Sequence, residues 1–377
     1  MTVGLALWPE QLSEQEPAWL DPGVPRDLDR TPDILVVGGG IVGVATAVAC
    51  TQAGLGSVVL LEADRLGSGA SGGAAGQLMP EAHVGVDPPR LVELMRLSLT
   101  AWQNLERTWP GGVGLMELDW LGLAPTIAQF DTLPPGAQKL SSEEVNEMVP
   151  GLSQRGPGVL VRGQARVNPL RAIARLAAGL ACVASGVRVQ GVSVEAGRIA
   201  SVQTTAGDVR PRDMVFATGT PPQVAGLDLR IPWSEVRGHM LASEPTDLKL
   251  PGSVAPLATS IEDGRLMVGG TLDVGDDERV VRPEIIASMW AELSSAWPVV
   301  TGVRIAHQWA CFRPAHPDYV PVIDRVPGVS NAWLTSGHYK TGILLAPATG
   351  IALTEWIASG ARPARVDFLG AERFANS

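Results

Sequence analysis

The chain has 377 residues, which is enough for two domains and a large hydrophobic core. Its net charge of -10 argues against nucleic-acid binding, because phosphate contacts need clustered cations and the arginines form no run. Cys50, Cys182 and Cys311 are widely spaced and form no C-x-x-C pair, which argues against a disulfide framework or a zinc site and fits a reducing cytoplasm.

The N-terminal extension, residues 1–31, has neither the basic start nor the apolar core of a secretory signal. Trp8 and Trp19 are candidates to dock on the body of the protein or on a partner, although a frayed tail is the default expectation. The longest apolar stretch, 342–358, contains Pro347 and Glu355, so no transmembrane helix is expected.

A strand, a glycine-rich turn and a helix follow between residues 33 and 47. Gly38 allows the sharp turn, Gly40 lets the backbone approach a pyrophosphate, and Gly43 lets the helix pack closely on the strand. Glu62 ends the next apolar run and is placed to accept hydrogen bonds from ribose hydroxyls, which disfavours NADP. The pattern predicts a dinucleotide site, and the alternative is a cofactor-free doubly wound domain.

The segment 66–78 is too small and polar to build core, which predicts a loop moulded round something else. Helices are predicted over 89–109 and from Asn168-Pro169 onward, followed by a meander of short strands over 187–204. The run 214–219 reads as a second buried strand, so the chain returns to the parallel sheet and the nucleotide domain is discontinuous in sequence.

A further strand is predicted over 265–270 and an amphipathic helix over 283–297. The apolar stripe of that helix indicates core packing rather than a ligand site. Its members are Ile286, Met289, Trp290, Leu293 and Trp297.

Four sequence blocks together resemble the flavin-dependent D-amino-acid oxidase superfamily, and within it the glycine oxidase and sarcosine oxidase branch, over about residues 33–370. They are the dinucleotide turn with Glu62, the loop from Ala70-Ser71 to Gly76-Gln77-Leu78, the strand ending Ala217-Thr218-Gly219, and Arg313-Pro314 with Gly337-His338 through Gly350.

The resemblance implies an α/β fold, α+β overall, with a Rossmann-type FAD-binding domain and a second, antiparallel-sheet substrate domain. The FAD-binding domain is expected to comprise residues 32–82, 153–222 and 303–377. The substrate domain is expected to comprise residues 83–152 and 223–302.

By the same resemblance FAD lies extended, with the glycine turn on the pyrophosphate, Glu62 on the adenosine ribose and the backbone of Val189 on the adenine. The loop 337–343 would close over the pyrimidine end of the ring, where its amides and a helix N-terminus can stabilise reduced, anionic flavin. The residues expected to bind FAD are Gly38, Gly40, Ile41, Val42, Gly43, Glu62, Ala63, Arg65, Ala70, Ser71, Ala75, Gly76, Gln77, Leu78, Val189, Thr218, Gly219, Cys311, Arg313, Gly337, Tyr339, Lys340, Thr341, Gly342 and Ile343.

Three residues are implied at the catalytic end. Arg313 stands where relatives hold a substrate carboxylate by a two-pronged guanidinium contact, although a surface turn is the alternative. Lys340 stands where relatives place a second cation, as a carboxylate partner or as a charge that assists oxygen reduction, and the alternative is an exposed loop lysine. His338 is expected to face the flavin.

Cys311 occupies the place where the sarcosine oxidase group has the cysteine that attaches covalently to the flavin. The alternative is a buried cysteine that serves as a small hydrophobic residue. The sequence also departs from the family pattern, because Leu257 stands near the expected position of a substrate-binding tyrosine, which puts glycine in doubt as the substrate. The remaining histidines show no ligand spacing and are expected to be structural; they are His83, His239, His307 and His316.

The sequence therefore predicts an FAD-dependent oxidation of a carbon–nitrogen bond, in which hydride passes from an amino acid or secondary amine to the flavin and O2 is the acceptor. One alternative is a dehydrogenase, or a subunit of a complex, that passes electrons to another acceptor and uses the N-terminal extension for docking. A second is a redox-inert nucleotide-binding protein. The sequence does not determine the oligomeric state, and a homo-oligomer is one possibility.

Overall fold

The computed structural model describes residues 2–127, 133–134, 136–275 and 278–375. The α-helices in this part of the chain are α1 (Glu16–Leu20), α2 (Ile41–Gln52), α3 (Pro89–Thr108), α4 (Ala124–Ile127), α5 (Ser142–Met148), α6 (Pro169–Ala178), α7 (Pro283–Ala296) and α8 (Gly342–Ser359). The strands are β1 (Thr2–Leu5), β2 (Ile34–Val37), β3 (Val58–Leu61), β4 (Gln77–Leu78), β5 (Leu115–Leu123), β6 (Gln138–Leu140), β7 (Gly158–Val167), β8 (Cys182–Ala184), β9 (Val189–Glu195), β10 (Arg198–Thr204), β11 (Asp213–Gly219), β12 (Ser234–Ser243), β13 (Gly252–Ala255), β14 (Ala258–Ser260), β15 (Leu266–Gly269), β16 (Asp273–Val274), β17 (Ile305–Ala315), β18 (Val322–Arg325) and β19 (Ala332–Ser336).

The smaller of the two main sheets has the strand order β18-β19-β11-β2-β3-β8 and is parallel except for the β18–β19 pair. Strand β2 is apolar throughout, as expected for a strand with both faces covered. Ile34 and Val36 pack with α2 and α8, whereas Leu35 and Val37 pack with the β9–β10 hairpin on the other face. This is the doubly wound sheet that the sequence predicts, with β11 returned to it beside β2.

The larger sheet has the order β1-β17-β12-β15-β14-β13-β5-β7-β4, with β16 beside β12 and β6 beside β7. Its pairs are antiparallel except for β13 and β5. Helix α7 packs on this sheet through Ile286 and Leu293, together with Trp297 directly after the helix, and Met289 and Trp290 lie at the edge of the same core. The amphipathic stripe of α7 thus packs in the core, and the α/β fold with a second, mainly antiparallel sheet is confirmed.

The local helix predictions are close to the structure. Helix α3 ends at Thr108, just before Pro110, and α6 begins after Asn168, whose side chain accepts hydrogen bonds from the amides of Leu170 and Arg171.

The expected domain boundaries do not coincide with the division into two sheets. Strands β4, β7 and β17 come from segments assigned to the FAD-binding domain but pair with strands of the larger sheet.

The expectation of a frayed N-terminal extension is wrong. Strand β1 pairs antiparallel with β17, with Gly4 opposite Trp309. Trp8 is fully buried, and its indole N–H donates to the carbonyl oxygen of Ala74 at 2.7 Å. The carboxylate of Glu16 is buried as well and accepts a hydrogen bond from Arg175 Nε at 2.8 Å. The segment is part of the folded body because its apolar and acidic groups have specific partners there.

Helix α8 is long and apolar enough to cross a membrane by length and composition, and two thirds of it is buried inside the protein. It packs against α2 and α3. This is the packing of a helix in the core of a folded domain.

Substitution of Trp8 tests the docking of the N-terminal segment. We expect Trp8→Ala to lower the free energy of unfolding by about 3–5 kcal/mol, because it leaves a cavity and removes the hydrogen bond to Ala74. Chemical denaturation measures this change. The control is Trp233→Ala, since Trp233 is 41% exposed and its loss should change stability by less than about 0.5 kcal/mol. Equal effects of the two substitutions would contradict the docking of Trp8.

Candidate functional site

A cavity of about 750 Å³ lies at the carboxyl ends of β2, β3 and β11. Strand β2 lies between β3 and β11 in the smaller sheet. The chain continues from β2 to β3 on one side, and β11 is added later on the other side of β2, so the strand order reverses at β2. Ligands of open α/β sheets bind at such a reversal of strand order, outside the carboxyl ends of the strands. The volume is in the range of cofactor and ligand sites.

The turn between β2 and α2 forms one wall of the cavity through Gly38, Gly40 and Ile41. Gly38 has a φ of +114°, which side chains rarely tolerate, and a Cβ atom on Gly43 would overlap the carbonyl oxygen of Gly38. Both positions therefore require glycine, and the close packing holds the N-terminus of α2 against the cavity. The amide of Ile41 donates to Ser71 Oγ at 3.1 Å, which ties the 70–78 loop to the same turn.

Glu62 follows β3 and lies on the cavity wall. Its carboxylate accepts hydrogen bonds from the amides of Gly39 at 2.6 Å and Asp64 at 2.9 Å. These two bonds fix the carboxylate beside the glycine turn. Its free lone pairs can accept hydrogen bonds from a diol, whereas a phosphate there would meet a like charge.

Two helices begin at the cavity, because Ile41 and Val42 of α2 and Gly342 and Ile343 of α8 lie on its wall. The first amides of a helix have no partner within the helix, and the helix dipole adds partial positive charge there. Trp102 of α3 holds the start of α8 in place by donating from its indole N–H to the carbonyl oxygen of Ile343 at 3.0 Å. The cavity therefore offers two separate sites for negative charge.

Strand β17 places three alternate side chains on this side of the sheet, as the two-residue repeat of a strand requires. Trp309 donates from its indole N–H to the carbonyl oxygen of Gly73 at 2.9 Å, and thereby supports the 70–78 loop. Cys311 and Arg313 line the cavity. Burial raises the pKa of the Cys311 thiol, which is only 2% exposed, so the protonated thiol is the stable form.

The Arg313 guanidinium lies over Gly238 of β12 and Gly270, which directly follows β15. Side chains at Gly238 or Gly270 would overlap it, so these glycines provide the space that it occupies. Its Nη1 donates to the carbonyl oxygen of Thr271 at 2.9 Å, which orients the planar group on the cavity wall. A guanidinium held in this way can bind a carboxylate through two parallel hydrogen bonds.

The loop between β19 and α8 places His338, Tyr339 and Lys340 on the cavity wall. Burial, assisted by the nearby His316, lowers the pKa of His338 to about 3, so its imidazole is neutral near pH 7. Its Nε2 lies 3.1 Å from Thr349 Oγ1 on α8. Burial raises the pKa of the Tyr339 phenol, which therefore stays protonated.

Lys340 does not stand alone. Its Nζ lies 3.4 Å from Asp87 Oδ2, and the same oxygen lies 2.8 Å from Nδ1 of His83. The side chain of Lys340 is 31% exposed, whereas that of Asp87 is only 8% exposed. The expectation that His83 has only a structural role is incomplete, because His83 also lines the cavity.

The structure brings most of the expected cofactor and catalytic residues to one cavity. On its wall lie Gly38, Gly40, Ile41, Val42, Glu62, Ala63, Ala70, Ser71, Ala75, Gly76, Gln77, Val189, Thr218, Gly219, Cys311, Arg313, His338, Tyr339, Lys340, Gly342 and Ile343.

Five expected cofactor residues do not form the wall, each for a local reason. Gly43 and Gly337 are packing positions, where a Cβ atom would overlap Gly38 and His316 respectively. Arg65 is exposed, and Leu78 is fully buried in the core. Thr341 is the N-cap residue of α8, and its hydroxyl donates to the carbonyl oxygen of His338 at 2.8 Å.

Leu257 also lies away from the cavity. It is 5% exposed and packs in the core under the larger sheet. The larger sheet instead contributes Met240 and Gly269, and Gly270 and Leu272 follow just beyond β15. Sequence reasoning missed these residues because nothing in an apolar strand or a Gly-Gly pair distinguishes a cavity wall from ordinary core.

The other three histidines have partners within the fold. His316 is fully buried, with Nδ1 2.7 Å from the carbonyl oxygen of Pro232 and Nε2 3.1 Å from Ser336 Oγ. His239 accepts from the amide of Arg282 at 3.1 Å. His307 Nε2 lies 3.3 Å from Glu10. These contacts fit the expected structural roles.

Known proteins are similar to this chain along most of its length. A family model described as FAD dependent oxidoreductase matches residues 33–356. The chain is 27% identical over 353 residues to the glycine oxidase of Pseudomonas putida. The aligned region covers 88% of this chain and 95% of that protein.

Solved structures share the fold. The L-proline dehydrogenase from P. horikoshii has a TM-score of 0.82 at 21% identity, over 92% of this chain and 99% of that one. The glycine oxidase from Bacillus cereus has a TM-score of 0.75 at 22% identity, over 88% and 96% of the two chains.

Proposed function

The chain belongs to the FAD dependent oxidoreductase family, and we propose that it oxidises the carbon–nitrogen bond of an amino acid or secondary amine that carries a carboxylate. The resemblance inferred from the sequence and the FAD cofactor are confirmed by the family match. The observation that carries the proposal is the Arg313 guanidinium, oriented on the wall of the same cavity as the dinucleotide turn.

The residues of the cavity fit an extended FAD. The N-terminus of α2 would hold the pyrophosphate, and the fixed carboxylate of Glu62 would accept hydrogen bonds from the adenosine ribose. The first turn of α8 and the 70–78 loop, with its small side chains, would hold the ring. FAD supplies the electron-pair acceptor for the amine oxidation.

The protein's own part is to bind and orient the substrate. Arg313 would hold the carboxylate by two hydrogen bonds, which directs the α-carbon toward the ring and fixes the orientation of the carbon–nitrogen bond. Met240 and Leu272 give this end of the cavity apolar walls that help to exclude water. The resulting imine is hydrolysed by water.

The titratable groups nearby suit a substrate that enters as the neutral amine. At neutral pH His338 is too weak a base to take a proton from an ammonium group, because its pKa is lowered to about 3. Tyr339 holds its own proton under the same conditions, since burial raises its pKa. Neither side chain is therefore suited to act as a base, which supports oxidation of the neutral amine by hydride transfer.

We propose O2 as the electron acceptor; Lys340, which is paired with Asp87, lies on the wall of the same cavity. The alternative is a dehydrogenase, which would catalyse the same amine oxidation but pass the electrons to an acceptor other than O2. The three cysteines are free thiols, which fits the cytoplasm as the compartment.

Anaerobic mixing with amines tests the proposed function. We expect at least one member of a panel of glycine, N-methyl amino acids, cyclic imino acids and D-amino acids to bleach the visible absorbance of the bound flavin. Admission of air should then restore the colour and produce hydrogen peroxide. A panel that never bleaches the flavin would contradict amine oxidation, and recovery only with an artificial acceptor would contradict the oxidase form.

The matched variant for this experiment is Arg313→Lys, which keeps the positive charge but loses the two-pronged geometry. We expect the substrate concentration for half-maximal flavin reduction to rise about tenfold or more, since a hydrogen bond to a charged group contributes about 1.5–3 kcal/mol. An unchanged concentration dependence would remove Arg313 from the carboxylate site.

The flavin is expected to be held without a covalent bond. The thiolate is the reactive form of cysteine, and burial favours the protonated thiol of Cys311. Acid precipitation should therefore release all yellow colour to the supernatant, and Cys311→Ala should retain its FAD. Colour that stays with the precipitated wild-type protein and is lost in Cys311→Ala would establish attachment through Cys311.

A further inference from the structure

The part of the cavity wall formed by Arg313, Tyr339 and Lys340 is called the substrate end below. Behind it lies the buried carboxylate of Asp87, which belongs to no sequence motif. Asp87 follows the short 3₁₀ turn Pro80–His83, and its Oδ2 lies 3.4 Å from Lys340 Nζ and 2.8 Å from His83 Nδ1. Lys340 and His83 line the cavity, whereas Asp87 lies just behind them with 8% of its side chain exposed. The carboxylate can therefore act on a bound ligand by its charge without touching it.

Asp87 is ionised in this environment. Burial alone would raise its pKa, but the hydrogen bond and charge of His83 and the charge of Lys340 outweigh burial and lower the pKa below its ordinary value. A full negative charge thus stands beside the ammonium group of Lys340. Because Asp87 Oδ2 lies only 3.4 Å from Lys340 Nζ, its negative charge weakens the attraction of Lys340 for an anion in the cavity.

Arg313 has no such compensation. Its guanidinium donates to the carbonyl oxygen of Thr271, and within the described part of the chain it forms no ion pair with a carboxylate. Among the described residues, Arg313 therefore has no carboxylate partner, whereas Lys340 is paired with Asp87.

We propose that Asp87 is a specificity-determining residue that restricts the site to substrates with a single carboxylate. The inference rests on the proposed function, in which Arg313 binds the substrate carboxylate. A second carboxylate in the same ligand would approach Lys340 and meet the negative charge of Asp87 behind it. It would lose its hydration without gaining an uncompensated cation in return, which is an unfavourable exchange.

Two ligands with the same core separate this effect from general binding. (Methylthio)acetate carries one carboxylate, and thiodiacetate carries a carboxylate on both sides of the sulfur; neither has an amine to oxidise. Each is titrated into the FAD-loaded protein, and the dissociation constant is read from the change in the flavin absorption spectrum and, independently, by calorimetry. The quantity of interest is the ratio of the two constants.

We expect the wild-type protein to bind (methylthio)acetate more tightly than thiodiacetate. In Asp87→Asn the ratio should shift by about tenfold or more toward thiodiacetate, because an isosteric substitution removes the charge and leaves Lys340 free to bind the second carboxylate. Asp87→Glu keeps the charge and should keep the wild-type preference. If Asp87 had a purely structural role, the substitution would raise both dissociation constants by the same factor and leave their ratio unchanged.

The matched control is Asp367→Asn, which makes the same change at a surface ion pair with Arg90, where the carboxylate is 54% exposed. It should leave both constants unchanged. If Asp87→Asn does not fold, Lys340→Gln tests the same charge pair in the opposite direction. It leaves Asp87 unbalanced, and the ratio should then shift about tenfold against thiodiacetate.

An unchanged ratio in Asp87→Asn, or a wild-type protein that prefers thiodiacetate, overturns the inference. A wild-type protein that binds neither ligand overturns it too, because the substrate end would then not be a carboxylate site. Failure of the proposed function is a separate result, since it appears as the absence of flavin reduction by any amine and does not depend on these inert ligands.

Discussion

The close contact between the turn after β2 and the first turn of α2 is the constraint on which the rest of the site depends. Gly43 packs so tightly on the carbonyl oxygen of Gly38 that a single methyl group would force the helix away from the strand. That distance sets where the N-terminus of α2 points. The Ser71 hydroxyl, the Glu62 carboxylate and the end of β11 are all positioned relative to this turn, so the cofactor site and the core of the smaller sheet depend on the same contact.

Strand β17 connects this cofactor site to the substrate side. It belongs to the larger sheet, yet its alternate side chains support the 70–78 loop, line the cavity and present the guanidinium of Arg313. The N-terminal segment reinforces the arrangement from outside, since β1 pairs with β17 and Trp8 binds Ala74 of the same loop. The geometry between cofactor and substrate therefore depends on a strand held on both sides rather than on a flexible loop.

Local patterns in the sequence were sufficient for much of the fold and for most of the cavity. The β2–α2 turn and the Asn168 cap combine residues whose spacing has a direct physical meaning, and both form in the structure. The C-terminal block was recognised through its resemblance to a family, and most of its named residues line the cavity. Features that depend on distant partners were not predictable in the same way. The sequence offered Trp8 only as a candidate to dock, and its partner Ala74, the core position of Leu257 and the Asp87–Lys340 pair become apparent only when segments far apart in the chain meet.

In the proposed function one cavity holds both the flavin ring and the carboxylate of the substrate, with Arg313 between the protein wall and the ligand. A crystal structure of the FAD-loaded protein with bound (methylthio)acetate tests it most directly. We expect the carboxylate to accept two hydrogen bonds from Arg313 while the rest of the ligand lies against the ring. A flavin ring in the cavity with the ligand bound away from Arg313, or a cavity whose nucleotide is not FAD, would contradict it.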